Sequence, residues 1–337
     1  MFNILPFEYT DAKYAAVAAV TNAVWPDNPS TVEEWKHNDQ TRDPNYMFHR
    51  LVVEAENKIV AVGIYCDPWW SMKPGKYYIN MNVHPNYQRR GIGAAFYNHL
   101  MDCLAEYNPA TIMANTREDQ TGALRFLEKR GFKRIQRDPV SHLDVPGLDH
   151  ARFAGIQESV AALGIRIQSI AELQTVDPDW KHKYWDLEWE LLQDVPTPDP
   201  LTRQTFETFE KRELGNPNFI PKANYIALDG EQWVGMSALW SSSAEPDKLY
   251  TGLTGVVRSH RRKKIATAMK LRAIAYAQQR GTKMIETDNE ENNPMYQLNL
   301  HLGFRSKPAW IVLEKKVTVR QLPPLNLTRG GGGEVSP

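Results

Sequence analysis

The run Val83-His84-Pro85-Asn86-Tyr87-Gln88-Arg89-Arg90-Gly91-Ile92-Gly93 sets two arginines beside two glycines in Gln-x-x-Gly-x-Gly spacing. Such a run suits an anion if it opens a helix. The first helical turn has unpaired backbone N–H groups and a partial positive charge. Glycines let that backbone approach a ligand closely, and the arginines add fixed charge. A pyrophosphate fits this chemistry. The spacing is neither the GxxxxGK[ST] of a phosphate-binding Walker loop nor the GxGxxG of a dinucleotide fold. An altered copy, Val256-Val-Arg-Ser-His-Arg-Arg-Lys-Lys-Ile-Ala266, stands 173 residues downstream (83 to 256), with Lys264 and Ala266 in place of the two glycines.

Other reactive residue types are sparse. The sequence has two cysteines, Cys66 and Cys103, too few for a disulfide framework or a CxxC metal pair. Cys103 shares helical spacing with Phe96, Leu100 and Leu104 and reads as a core residue. Cys66 ends a strand-like run without a nearby histidine in sequence. The nine histidines form no HExxH pair, so no metal is expected. His84 is a candidate base by residue type, since imidazoles in general can exchange protons near neutrality, but a place in the turn into the loop is preferred for it. Asp288 and Glu290, just after a strand-like run, are better placed as bases.

The elements that must hold these residues are written twice. Ile59–Tyr65 matches Gln232–Trp240, the two loops follow, then "TIMANTRED" matches "KMIETDNEE" and "ALRFLEKRGF" matches "MYQLNLHLGF". Four matches in the same order mark a tandem duplication. In each unit, β-rich runs precede the loop. An apolar i, i+3, i+4 helix follows it, as in "AAFYNHLMDCLAEY" and "ATAMKLRAIAYAQQRG", and then another strand and helix. Strand, loop, helix, strand implies a parallel pair with the loop at the strand's carboxyl end, a favoured ligand position. Asp144–Gly164 reads as a turn and one short connecting helix. The tail, with four consecutive glycines, reads as disordered. Lysine plus arginine equals aspartate plus glutamate at 40 each, which favours neither nucleic acid nor an anionic membrane. The lack of a signal-peptide start and of a long apolar run points to a cytoplasmic chain.

With Val83-His84-Pro85-x-Tyr87-Gln88-x-x-Gly91-x-Gly93 and "FLEKRGF" in the first unit, and "RRKKIATAMKLRAIAYA" and "NNPMYQLNLHLGF" in the second, the chain resembles the GNAT acetyltransferases. Its tandem form is similar to mycothiol synthases. The resemblance implies a mixed-sheet α/β fold in two units. The first would span 1–145, a connecting segment 146–163, the second unit 164–322 and a disordered tail 323–337. It implies an acyltransferase that moves an acetyl group from acetyl-CoA to an amine of a small molecule or peptide, by direct attack and without a metal. Met81, Asn82 and Val83 would line the pantetheine, and Gln88, Arg89, Arg90, Gly91, Ile92, Gly93 and Ala94 would hold the pyrophosphate. A second, weaker site would use Val256, Arg261, Lys264, Ala266 and Asn292.

The departures are in the acid and base. The family's tyrosine acid in the last helix aligns with Leu127 and Asn299, so neither unit has it. An asparagine at the start of that helix aligns with Asn292 in the second unit and with Gln120 in the first. The catalytic candidates are Asp288 as a base and Asn299 as a hydrogen-bond donor. The intact glycines make the first unit the expected main CoA site. Two alternatives stay open: a second unit that is the active one, as in mycothiol synthases, and a CoA-binding sensor or scaffold without catalysis. Trp25 with "PDNP", and Asp194–Pro200, stand after each unit's first helix and suit either an acceptor pocket or packing between units.

Overall fold

The computed structural model describes residues 1–317; the tail expected to be disordered lies outside the described residues. The first unit begins with strand β1 (Phe2–Pro6) and helices α1 (Asp11–Val24) and α2 (Val32–Gln40). Strands β2 (Phe48–Ala55), β3 (Lys58–Cys66) and β4 (Lys76–Val83) follow. Helix α3 (Ile92–Ala105), strand β5 (Thr111–Arg117), helix α4 (Thr121–Glu128) and strands β6 (Lys133–Asp138) and β7 (Val140–Asp144) complete it. Helix α5 (Ile156–Ala161) connects to the second unit: β8 (Ile165–Ser169), α6 (Ile170–Leu173), α7 (Trp180–Leu192) and α8 (Phe206–Phe209). Then come β9 (Phe219–Asp229), β10 (Gln232–Ser241), β11 (Lys248–Val256), α9 (Ile265–Gln279), β12 (Met284–Asp288), α10 (Pro294–His301), β13 (Arg305–Ser306) and β14 (Trp310–Lys316). The expected β2–β3 hairpin closes through Glu56 and Asn57, both at positive φ, the conformation a two-residue turn needs.

Each unit builds one seven-stranded mixed sheet, and the two sheets exchange strands. The first runs β1-β2-β3-β4-β5-β14-β6 and the second β13-β7-β12-β11-β10-β9-β8. Strand β14, near the end of the described chain, thus lies between β5 and β6 of the first sheet. In return β7 pairs with β12 of the second. Pro139 separates β6 from β7; it has no N–H to donate, and a strand can change sheets there without losing a ladder bond. Sheet membership therefore crosses the segment expected to divide 1–145 from 164–322.

Helix α3 packs on the first sheet through Phe96, Leu100 and Leu104, all fully buried. The duplicated glycines of β3 and β10 allow this close approach. A Cβ on Gly63 would lie 2.9 Å from the Phe96 ring, and one on Gly235 would lie 3.1 Å from Met269 Cε on α9. Gly255, on the other face of the second sheet, meets Leu191 of α7 instead. Helices α7 and α9 therefore cover opposite faces.

In both sheets the one parallel pair is short. β4 pairs with β5 only over Lys76–Tyr78, and β11 with β12 only over Lys248–Tyr250. Beyond those residues the strands part into a wedge. A buried lysine sits at the base of each and reaches into the other unit. Lys76 pairs with Asp199 and with Glu314 at 2.9 Å, while Lys248 meets Glu286 at 2.9 Å and the Asp27 carbonyl at 3.0 Å. The two proline-rich loops are thus contacts between units.

Candidate active site

The two loops share one backbone despite their sequences. Arg89 and Gly91 have φ of 62° and 82°, and Arg262 and Lys264 have 64° and 61°. In each, the residue that caps the helix is left-handed and offers no side-chain cap, so the first N–H groups of α3 and α9 remain free. Side chains brace both loops alike: Gln88 Nε2 donates to the Val83 carbonyl at 3.0 Å, and Arg261 Nε to that of Val256 at 2.9 Å. A Cβ at Gly91 would meet no protein atom within 4 Å. Lys264 therefore fits its loop; its cost is backbone strain, since a left-handed conformation disfavours any side chain. Asp194 holds Arg258 and Arg261, which leaves Arg262, Lys263 and Lys264 to face an anion at the second loop. In the first loop Arg90 lies 3.8 Å from Glu56 and over the Tyr87 ring. His84 Nδ1 accepts from the Asn86 N–H, which agrees with the turn reading.

The wedges differ more than the loops. In the first unit β3 and β4 pair without interruption from Ala61–Val83 to Cys66–Tyr78. Met81 and Val83 pack toward α3, whereas Asn82 turns to the opposite face. There a chain of side chains spans the opening: Trp25 Nε1 to Asn82 Oδ1 at 2.8 Å, Asn82 Nδ2 to Asn80 Oδ1 at 2.9 Å, and Tyr78 OH to Asn115 Oδ1 at 2.6 Å. In the second unit the β10–β11 register shifts between Ser237–Thr254 and Leu239–Thr251, so β11 bulges at Gly252 and Leu253. A Cβ on Gly252 would lie 2.5 Å from Trp240 Nε1, so only glycine permits this approach.

A cavity of about 400 Å³ opens at the second wedge, lined from both faces of the sheet. Glu188 of α7 borders it on one side. Burial pushes this carboxyl up to about 8, and the charge of Glu213 adds to the effect. Lys270 of α9 borders it on the other; it is 4% exposed, has no carboxylate partner among the described residues, and burial alone lowers it to about 7. Asp288 opens onto the same cavity, and the surrounding protein raises its pKa, helped by Glu286. Asp138 of the first unit's β6 completes the wall, raised to about 6 by burial against an opposing hydrogen bond from Gln136. Asn299 is fully buried and donates to Asn289 Oδ1 at 2.7 Å, but its own Oδ1 has no partner among the described residues. Thr251 Oγ1, at the point where the strands part, is also unpaired. Two orphaned polar atoms beside a wedge fit the amide groups of an extended chain such as pantetheine.

Helix α10 starts one residue later than the sequence suggests. Asn293 caps it by accepting from the Met295 N–H, and it lines the cavity. Asn292 instead donates to Glu290 at 2.8 Å. Glu188, Glu213, Lys270 and Asp138 escaped the sequence reading. A signal was available for two of them. Glu188 is four residues from buried Tyr184, and Lys270 adjoins buried Met269 and Leu271, so each puts charge on an apolar stripe. Among the described residues no group of three His, Cys, Asp or Glu could hold a metal, and no helix is long and apolar enough to cross a membrane.

Comparisons agree with this architecture. A tandem GNAT protein from the clavulanic acid biosynthesis pathway superposes with a TM-score of 0.73 at 19% identity, covering 94% of this chain and 98% of that one. A GCN5-related N-acetyltransferase from Sphaerobacter thermophilus gives 0.65 at 17% identity over 94% and 95%. The glucosamine N-acetyltransferase region of a fungal multi-domain beta-N-acetylglucosaminidase gives 0.68 at 13% identity, over 93% of this chain and 38% of that one. No curated protein matches in sequence. The model of the acetyltransferase (GNAT) family matches twice, over residues 12–132 and 183–304, and the chain belongs to that family.

Proposed function

We propose that the protein transfers an acetyl group from acetyl-CoA to an amine of a small molecule or peptide, and that transfer takes place in the second unit's cleft. The observation that carries this reading is the cavity through the second wedge, with Glu188 on one face and Lys270 on the other. Acetyl-CoA would supply the thioester. Glu188, as the carboxylate, takes the proton from an incoming ammonium, and its raised pKa brings it closer to an amine. Backbone N–H groups freed by the β11 bulge donate to the carbonyl oxygen. Lys270 donates a proton to the departing sulfur and, then neutral, takes the second proton from the nitrogen of the tetrahedral adduct, a task Asn299 cannot perform. Asp288 borders the same space and helps hold a cationic acceptor. Arg262, Lys263 and Lys264 with the first turn of α9 take the pyrophosphate.

The intact glycines point to the first unit as the main CoA site, and that unit's loop has the less strained backbone. Its wedge, however, is spanned by Trp25, Asn82, Tyr78 and Asn115, and its pocket carboxylates are already engaged. Asp43 accepts from the Asn45 N–H and Asp67 from the Met47 N–H. This favours a first unit that binds CoA without turning it over, the sensor reading confined to one half. The test is thiol release with a panel of amines. Glu188→Gln should lower kcat/KM by roughly 10²–10⁴ and abolish the rise of rate toward pH 8, while Asp288→Asn costs less. Unchanged rates in Glu188→Gln would remove the second cleft from consideration.

A further inference from the structure

The first unit contains a separate cavity of about 340 Å³ that the acyl-transfer reading leaves unused. It lies on the face of β2, β3 and β4 away from α3, and the volume is at the low end for small-molecule sites. Aromatic rings make much of its wall: Trp35, Phe48, Trp69, Trp70 and Tyr78. Trp70 stands edge-on to both Trp69 and Tyr78, at 5.6 and 5.4 Å between centroids.

The charges around it are unbalanced at one end. Arg212 reaches in from the second unit and lies 3.7 Å over the Trp69 ring. Its guanidinium donates no hydrogen bond among the described residues, and its nearest carboxylate, Glu213, is 3.9 Å away. The other charge acting on it is a second cation, Arg42. Arg42 shares Asp39 with Arg50 and Tyr14, so one carboxylate already serves three donors. Asp43 and Asp67 also border the cavity and accept backbone N–H groups of Asn45 and Met47, and among the described residues neither forms an ion pair with Arg212 or Arg42. Two polar atoms of the wall, Trp35 Nε1 and Gln204 Oε1, have no partner among the described residues. Two half-buried guanidinium groups, one without a hydrogen-bonded carboxylate and one sharing Asp39, beside flat rings and an unpaired N–H, make a place for a planar anion.

We infer that the first-unit cavity is a binding site for a small carboxylate with an aromatic body, held by Arg212 and Arg42 and enclosed by Trp35, Trp69 and Trp70. Arg212 stands on a π-helical turn, Glu210–Leu214, closed by the Gly215 N–H to the Glu210 carbonyl at 2.9 Å. The next residue on that turn, Glu213, lines the other cavity. A ligand on Arg212 therefore contacts an element that borders both cavities, and π turns recur at functional sites.

The test needs no acyl donor, so its outcome is independent of the acyl-transfer reading. Indole-3-acetate, 1-naphthoate and benzoate are titrated into the full chain by calorimetry, each against its neutral amide. The expected result is saturable one-to-one binding of at least one acid, with its amide weaker by about tenfold or more. Arg212→Gln should erase the preference for the acid. Arg212→Lys should retain part of it, and Trp35→Phe should weaken binding while keeping the preference; thermal melts verify that all three fold. Arg90→Gln and Lys264→Gln, in the two glycine-type loops, should leave binding intact. No saturable binding of any acid up to millimolar concentration, equal binding of acid and amide, or a preference that survives in folded Arg212→Gln would overturn the inference. So would binding lost only in the loop variants.

Discussion

Half-buried Glu188 and buried Lys270 show what withdrawing a charge from water costs and what it makes possible. The Glu188 carboxyl titrates at about 8 in the folded protein, against the ordinary value near 4.3 in an unfolded chain. The folded state thus holds this proton more tightly, and its stability falls as pH rises through that interval. Lys270 has the opposite sign. At about 7 when folded and roughly 10.4 when unfolded, it binds its proton less tightly in the native state, so stability rises with pH between those values. Two substitutions should therefore stabilise the protein with contrasting profiles. Glu188→Gln should gain nothing near pH 4 and most above pH 8. Lys270→Met, close in volume, should gain most below pH 7, on the order of 4 kcal/mol, and progressively less toward pH 10.5. Denaturant midpoints measured from pH 4 to 10 decide this, and a flat gain for either variant would contradict the burial assigned to that group. Both should lose turnover, as expected where stability has been given up for a site.

At the scale of elements, local pattern and distant pairing were legible to very different degrees. The loop, the helix after it and the β2–β3 hairpin follow from short-range periodicity and turn residues, and the structure has them where the sequence implies. Which sheet a strand joins depends on non-local partners. "KRIQRD" and "VSHLD" are adjacent in sequence with Pro139 between them, yet they join different sheets, and nothing in either distinguishes the choice. The catalytic candidates divide in the same way. Asp288 was visible because it follows a strand at the wedge, whereas Glu188 sits in "YWDLEWELL", which reads as an ordinary amphipathic helix until its face is known. The exchanged strand has a direct consequence. β14 supplies Ile311 and Leu313, 2% and fully buried, to the first core and separates β5 from β6. A fragment of residues 1–145 should fail to give a cooperative melt alone. Fragments 1–163 and 164–317, co-expressed, should copurify. A cooperative melt of 1–145 without its partner would show that the exchange is dispensable.

The whole molecule joins two similar loops to two dissimilar wedges, and this asymmetry yields a prediction about stoichiometry. Both loops have left-handed residues before their helices, so on the proposed reading both would receive a pyrophosphate. Lys264 holds that conformation at a cost of about 1 kcal/mol or more, which Gly91 avoids. Lys264→Gly should therefore stabilise the protein slightly and tighten CoA at the second loop if backbone approach matters more than the lost charge. The first loop should be the tighter seat, and the second wedge the one that turns over. Calorimetry on the unmodified protein should then resolve two classes of CoA site. Gly91→Glu places a carboxylate before the first loop, where a Cβ meets no protein atom, so the fold should survive. It should remove the tighter class and leave turnover within a few-fold of its starting value. Lys264→Glu should do the reverse, keeping the tight class while kcat/KM falls by at least the factor of about 10 that losing one charge-assisted hydrogen bond implies. If Gly91→Glu abolishes turnover together with binding, the first unit is the enzyme, and Glu188 and Lys270 need another explanation.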